Sequence, residues 1–303
     1  MTVQGLITGN KIKLFFFGKR MESGNFGDLL SRYMIEKLTG LCVEKYDRNS
    51  RAVTHLTAVG SILSGKEICQ PAVIWGSGFI SPEPLWKIKL TKIQQFLRRK
   101  YGHPTVCAVR GKLTREILVK AGIECPEIYG DPALLMPMIY PVVKQKKYRL
   151  GVILHLEHQR FKDAFMHRDV KLINISRSYD DMESFIDETL ECDAVLSSSL
   201  HGLIIPNAYK VPCVRLKIKG RSILTEPKWE DFKFEDYVSG LNSYCKKSNP
   251  YNLPTFVFNE NDVLDDGSID NICRMANVPS FDIDYSKLLS AFPCRLLPEY
   301  DLR

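Results

Sequence analysis

Long apolar runs are missing from this 303-residue chain. The longest, at 14–17, 134–136 and 202–206, are a few residues each. A membrane helix needs about twenty, so no transmembrane helix is expected. The opening MTVQGLITGNKIK has no charged stretch before a long apolar one and no small-residue cleavage site, so no secretory signal is expected either. Glycine (19) and proline (16) stand near background, which excludes collagen-like, low-complexity and disordered classes. The nine cysteines are scattered and no two have CxxC spacing, which argues against a zinc ribbon or a redox pair. An odd number without a leader fits reduced thiols and a cytoplasmic location. No zinc-finger, basic-zipper or RNA-recognition signature is present, so nucleic acid is not an expected partner. No G-x-S-x-G elbow supports a serine hydrolase, and no metal-ligand cluster stands out.

What is present is a modest positive excess, clustered. Lys plus Arg number 42 against 35 Asp plus Glu, a net charge of +7. Residues 86–100 (WKIKLTKIQQFLRRK) carry six positive charges and no negative one. Residues 144–149 and 215–221 carry four positive charges each. Such patches suit phosphates or anionic lipid surfaces, and equally a solvated helix face. On a helix, 86–100 is roughly amphipathic, which suits peripheral contact with an anionic membrane as well as packing on the protein.

Short β-rich runs alternate with amphipathic helices. Strands are expected at 11–17, 72–75 and 105–109, with helices at 26–38 and 112–121 ended by Gly40 and Gly122. After the basic stretch at 144–147 the rhythm restarts. Strands are expected at 148–155, 170–175, 194–197 and 212–216, helices at 180–191 and 203–209, and a short helix at 284–291. Strand–helix alternation implies parallel βαβ units. The restart implies an α/β protein of two Rossmann-like domains, 1–143 and 144–303, with a cleft between them.

Ligands of parallel α/β sheets sit beyond the carboxyl ends of the strands. Four strand ends carry suitable residues. Gly24-Asn25-Phe26-Gly27-Asp28 opens a helix, where two glycines let the backbone approach a ligand and an anion could be held, and Asp28 could equally be a cap. Gly76-Ser77-Gly78 could cradle a phosphate with main-chain N–H groups. Arg110 stands at a strand end, where its planar fork suits a carboxylate or phosphate, or a nearby acidic side chain. Ser197-Ser198-Ser199-Leu200-His201-Gly202 packs hydroxyls and an imidazole into one turn, the best candidate for acid–base work.

Taken in order, NFGD (25–28), WGSGF (75–79), AVRGKLTREIL (108–118), YGDPALLMP (129–137), SSSLHGLIIPNAYKVP (197–212), FKFEDY (232–237) and LLSAFP (288–293) resemble the polysaccharide pyruvyl transferase family across 11–293. The resemblance implies a GT-B-like fold. It also implies transfer of a pyruvyl group from phosphoenolpyruvate to a sugar of a surface polysaccharide or its lipid-linked precursor, forming a cyclic ketal and releasing phosphate. Phosphoenolpyruvate is then a co-substrate, with no cofactor and no metal. His201 falls on the family's general acid and Arg110 on its donor-gripping arginine. A further donor cation is either Lys233 or Arg221. Ser198, Ser199 and Gly76-Ser77-Gly78 line the donor, and Asn25 and Asp28 the acceptor. Asp28 and Asp131 are the candidates for receiving a hydroxyl proton, and Asp131 in Gly-Asp-Pro also reads as a turn residue. The competing readings are a GT-B glycosyltransferase using a nucleotide sugar and a non-catalytic scaffold of an assembly complex.

Overall fold

A computed structural model describes residues 5–18, 22–47, 53–65, 67–82, 102–220, 231–241, 253–279 and 284–301. The basic segment 86–100 and Arg221 lie outside these.

The chain opens with β1 (Ile7–Thr8) and β2 (Lys11–Phe15). β3 (Ser23–Asn25) leads into helix α1 (Phe26–Thr39), followed by β4 (Cys42–Lys45), β5 (His55–Thr57), β6 (Ala72–Trp75) and β7 (Thr105–Ala108). α2 (Lys112–Lys120) and α3 (Met136–Ile139) complete this half. The second half runs β8 (Tyr148–Ile153), β9 (Val170–Leu172), β10 (Ser176–Ser178), α4 (Met182–Leu190), β11 (Cys192–Ser197), α5 (His201–Ala208) and β12 (Cys213–Lys219). It continues with α6 (Phe232–Gly240), β13 (Thr255–Asn259), α7 (Asp266–Met275) and α8 (Tyr285–Ser290).

Sequence chemistry accounts for the helix that matters most. Asn25 caps α1 by accepting the Gly27 N–H at 2.9 Å. Leu29, Leu30, Tyr33, Met34 and Leu38 recur at helical spacing and are buried. Gly40 ends the helix at φ +69°, a left-handed conformation that glycine adopts without strain.

Two parallel sheets result, and they share one strand order. In the first, β4 and β5 flank β2, and β6 and β7 extend outward from β5, with β1 a short antiparallel addition. In the second, β9 and β11 flank β8, and β12 and β13 extend from β11. Strand order therefore reverses at β2/β5 in one sheet and at β8/β11 in the other. Such reversals open a crevice beyond the carboxyl ends, where ligands bind.

The halves are not separated along their whole boundary. β3 and β10 pair antiparallel, Asn25 opposite Ser176. Phe26 of α1 stacks on Phe185 of α4 with ring centroids 3.9 Å apart. One continuous apolar core includes Leu30, Leu134, Phe185 and Leu203. The cleft expected between the halves is thus closed where the apolar faces of α1 and α4 meet. The C-terminal segment crosses back to the first sheet: Trp75 Nε1 donates to Leu288 O at 2.8 Å and its ring meets Phe292 edge-on.

Candidate active site

The turn after β11 is held by its own serines. Ser197 Oγ donates to Ile153 O at 2.9 Å and accepts the Ser199 N–H at 3.0 Å. Ser198 Oγ accepts the His155 N–H at 2.9 Å. Two serines thereby join the carboxyl ends of β8 and β11. A Cβ on Gly202 would collide with Ser197 Oγ, so glycine is needed where α5 starts. Ser198 and Ser199 are both buried. The structure gives Ser198 a fastening role within the turn.

His201 opens α5, and residues of the first half enclose it. A Cβ on Gly27 would collide with its Nδ1, and a Cβ on Gly60 would lie 4.0 Å from its Cε1. Gly27 follows β3 and Gly60 follows β5, so the carboxyl-end loops of both sheets meet at this imidazole. Its side chain is 12% exposed. Burial pushes the His201 pKa down to about 3, and the charges of Arg110 and Lys233 push the same way. The ring is neutral at pH 7.

Facing it is Asp131, fully buried, whose Oδ2 lies 3.9 Å from His201 Nε2. Neither atom has a hydrogen-bond partner. Asp131 Oδ1 accepts the Ala133 N–H at 3.0 Å and caps the turn at Pro132–Leu135. Burial raises the Asp131 pKa to about 6, against the opposing Ala133 amide and Arg110.

Arg110 is paired with an acid. It is fully buried, and its Nε and Nη2 each lie 2.9 Å from Asp236 Oδ2. Nη2 also donates to Phe79 O at 2.7 Å, and Nη1 donates to Ser61 Oγ. Of the two roles that the sequence left open, the ion pair with an acid is the one seen. The WGSG turn is bonded within the protein. Gly76 N–H donates to Ala108 O at 2.9 Å, Gly78 N–H to Gly60 O at 3.1 Å, and Ser77 Oγ to Ala58 O. Gly76 sits at φ +80° against Pro132, and Gly78 leaves room for the Arg110 guanidinium. These glycines are needed for close packing, and their amides are already engaged.

A second cation whose charge reaches the site is Lys233, in the first turn of α6 and half-buried. Its Nζ lies 5.2 Å from the Phe234 ring. Its charge depresses the pKa of both His201 and His155. Arg215, by contrast, pairs with Asp231 and lies over the Phe234 ring at 4.0 Å.

His155 was not anticipated. It follows β8, the strand beside β11 at the reversal of the second sheet, and its side chain is 29% exposed. Burial, then Lys233, takes its pKa down to about 4. The strand-end reasoning that singled out His201 applies equally to the His closing YRLGVILH.

Of the two residues expected at the acceptor, Asn25 has its Oδ1 engaged as the α1 cap. Asp28, in the first turn of α1, is partly buried; burial raises its pKa to about 6, opposed by Lys45. Among the described residues, one metal-type cluster occurs, His167, Asp169 and Asp266. It lies at the amino end of β9, whereas His201 lies beyond the carboxyl end of β11.

A family model described as polysaccharide pyruvyl transferase matches residues 61–219, just over half of the chain. Over 268 residues the chain is 27% identical to an uncharacterized protein of Acanthamoeba polyphaga mimivirus, covering 86% of this chain and 82% of that protein. The matched span runs from the loop after β5 to the end of β12 and contains Arg110, Asp131, His155 and His201. The chain belongs to the polysaccharide pyruvyl transferase family.

Proposed function

We propose that this protein transfers the pyruvyl group of phosphoenolpyruvate to a sugar of a surface polysaccharide or of its lipid-linked precursor. The product is a cyclic ketal bridging two hydroxyls, and phosphate leaves. The observation that carries this reading is the placement of His201. It is buried where the carboxyl-end loops of both sheets meet, with Lys233 as a nearby cation. We read the two sheets of common strand order as a GT-B-like pair.

The donor carries a carboxylate and a phosphate, and Lys233 offers it a charge-assisted hydrogen bond. His155 lies within the field of the same lysine and is a second imidazole at the donor side. Burial keeps His201 neutral and the two cations add to it; the donor's negative charge acts against both, so the imidazole gains a proton as the donor arrives. His201 then protonates the methylene carbon, and an oxocarbenium-like centre develops at C2. One sugar hydroxyl adds at C2, and the second displaces phosphate and closes the ring. Asp28, whose raised pKa makes it a better base than an exposed carboxylate, receives a hydroxyl proton on the acceptor side. Described residues include no helix long and apolar enough to cross a membrane; a lipid-linked acceptor is, on this reading, met at the cytoplasmic surface.

Thermal melting with added ligand tests the donor assignment. Phosphoenolpyruvate at about 100 times its Kd raises stability by roughly 2.7 kcal/mol, and a nucleotide sugar leaves it unchanged. Stabilisation by nucleotide sugars and not by phosphoenolpyruvate overturns the reading.

A further inference from the structure

We infer that Asp131 and His201 hold one proton in common, and that this pair, rather than His201 alone, is the acid that the site delivers. The chemical consequence rests on the pyruvyl-transfer reading; the shared proton does not.

The geometry is unusual for a protein interior. Buried polar atoms nearly always have hydrogen-bond partners. Here a carboxylate oxygen and an imidazole nitrogen, both buried and both unpartnered, face each other at 3.9 Å. The Asp131 side chain is anchored at its other oxygen by the Ala133 N–H, so Oδ2 remains directed at His201. Pro132 is wedged against Gly76, which fixes the turn. A turn residue needs only the anchored oxygen. With the ring proton of His201 on Nδ1, Oδ2 and Nε2 are facing acceptors and repel, and a single proton on either of them turns the repulsion into a hydrogen bond once the gap closes by about 1 Å. Catalytic hydrogen bonds are commonly long in the unoccupied protein and tighten in the complex.

The surrounding charges decide which partner holds the proton. Arg110 and Lys233 face the imidazole and oppose its protonation. Asp131 meets Arg110 and the Ala133 and Gly60 amides, which favour its ionised form, and Asp236, which opposes it. Burial outweighs these and keeps the carboxyl protonated further up the pH scale. Below about pH 6 the proton of the unoccupied pair therefore rests on Asp131. An anionic donor beside Lys233 reverses the preference, and the proton moves from Oδ2 to Nε2. The imidazolium so formed gives a ring proton to C3 of the donor, the C2=C3 electron pair forming the new C–H bond. The first sugar hydroxyl adds to C2 and passes its proton to Asp28, which gives it up to water, and the pair takes up a proton from water for the next turnover. The second hydroxyl displaces phosphate, which leaves with that hydroxyl's proton. Asp131 is thus a positioning and proton-holding residue that acts through His201.

Asp131→Asn tests this, because the amide oxygen can still accept the Ala133 N–H while the shared proton is lost. Nitrogen-15 NMR of the six histidines is recorded across pH for wild type and variant, assigned with His201→Gln. In wild type the His201 ring resonances show a transition near pH 6, and in Asp131→Asn that transition is absent. Turnover falls about 10²-fold or more in the variant, its pH profile loses the same inflection, and KM for phosphoenolpyruvate stays within a few-fold. Identical His201 titration in both proteins, or unchanged turnover and pH profile, overturns the proposal. Should Asp131→Asn fail to fold, carbon-13 NMR of the aspartate carboxyls decides. The Asp131 transition shifts between wild type and His201→Gln if the proton is shared, and stays fixed if it is not. A wild type that shows the coupled titration but never consumes phosphoenolpyruvate refutes the proposed function and leaves the shared proton standing.

Discussion

Arg110 and Asp236 form a fully buried ion pair across 126 residues of sequence, with Nε and Nη2 each 2.9 Å from the same carboxylate oxygen. Asp236 also accepts the Thr114 N–H and the Thr114 hydroxyl, both at 2.7 Å. The pair ties the start of α2 to α6, and α6 carries Lys233. Removing one partner of a buried pair leaves the other charged and unpaired, at a cost of about 3–5 kcal/mol. Arg110→Ala and Asp236→Ala are each expected to lower stability by that order in denaturant unfolding. An apolar double variant, Arg110→Met with Asp236→Leu, loses less than either single one. If Arg110→Ala keeps wild-type stability and only weakens donor binding, the ion pair is not its main role.

Lys233→Met separates electrostatics from packing. Loss of a charge-assisted hydrogen bond costs about 1.5–3 kcal/mol, so donor affinity is expected to fall roughly 10- to 150-fold. The same substitution removes a charge that depresses two imidazoles, so the pKa values of His155 and His201 both rise. Titration by NMR and calorimetric binding of phosphoenolpyruvate measure the two effects. Unchanged imidazole titration would place Lys233 away from the site.

Gly27→Ala probes the position of the imidazole directly. The new methyl group occupies the space of His201 Nδ1, and the ring must move. Gly27 is helical, and alanine is the better helix former by about 1 kcal/mol, so the fold is expected to survive. A displacement of about 1 Å at a catalytic group can cost roughly 10²-fold in rate. The expected result is near-normal melting with turnover reduced by that order.

Stability should report the buried carboxyl. Folding raises the Asp131 pKa from 3.8 to about 6. The folded state therefore binds the proton more tightly than the unfolded chain. The stability this gives is fully present below pH 3.8 and is lost as pH rises through 6. The loss is about 3 kcal/mol. Asp131→Asn has no such proton, so its stability relative to wild type improves between pH 4 and pH 7. Melting both proteins across that window measures the difference. A constant gap contradicts a raised Asp131 pKa.

Much of the fold was legible because local chemistry agrees with it. The α1 cap, its apolar spacing and its terminal glycine all lie within residues 25–40. The turn from β11 into α5 was legible from its serines and its place after an apolar run. β4 and β5 were not, because CVEK and HLT are too short for alternation to register. The strand order shared by the two sheets is a matter of long-range pairing that no local pattern carries. The site divides in the same way. His201 is marked by its neighbours in sequence. The role of Arg110 depends on Asp236, far along the chain, so spacing alone left ligand and ion pair equally open. Asp131 carried a turn signature that was correct and incomplete: one oxygen caps the turn and the other faces His201.

The proposed reaction is tested most directly by incubating the purified protein with phosphoenolpyruvate and a panel of galactose, glucose and N-acetylmannosamine acceptors. Phosphate release and product mass are followed together. The account predicts phosphate released in step with an acid-labile pyruvate ketal on at least one acceptor, and neither with His201→Ala, whose rate falls by about 10²–10⁴. Ketal formation that persists undiminished in His201→Ala, or no phosphate and no ketal with any of these acceptors and their lipid-linked forms, would contradict it.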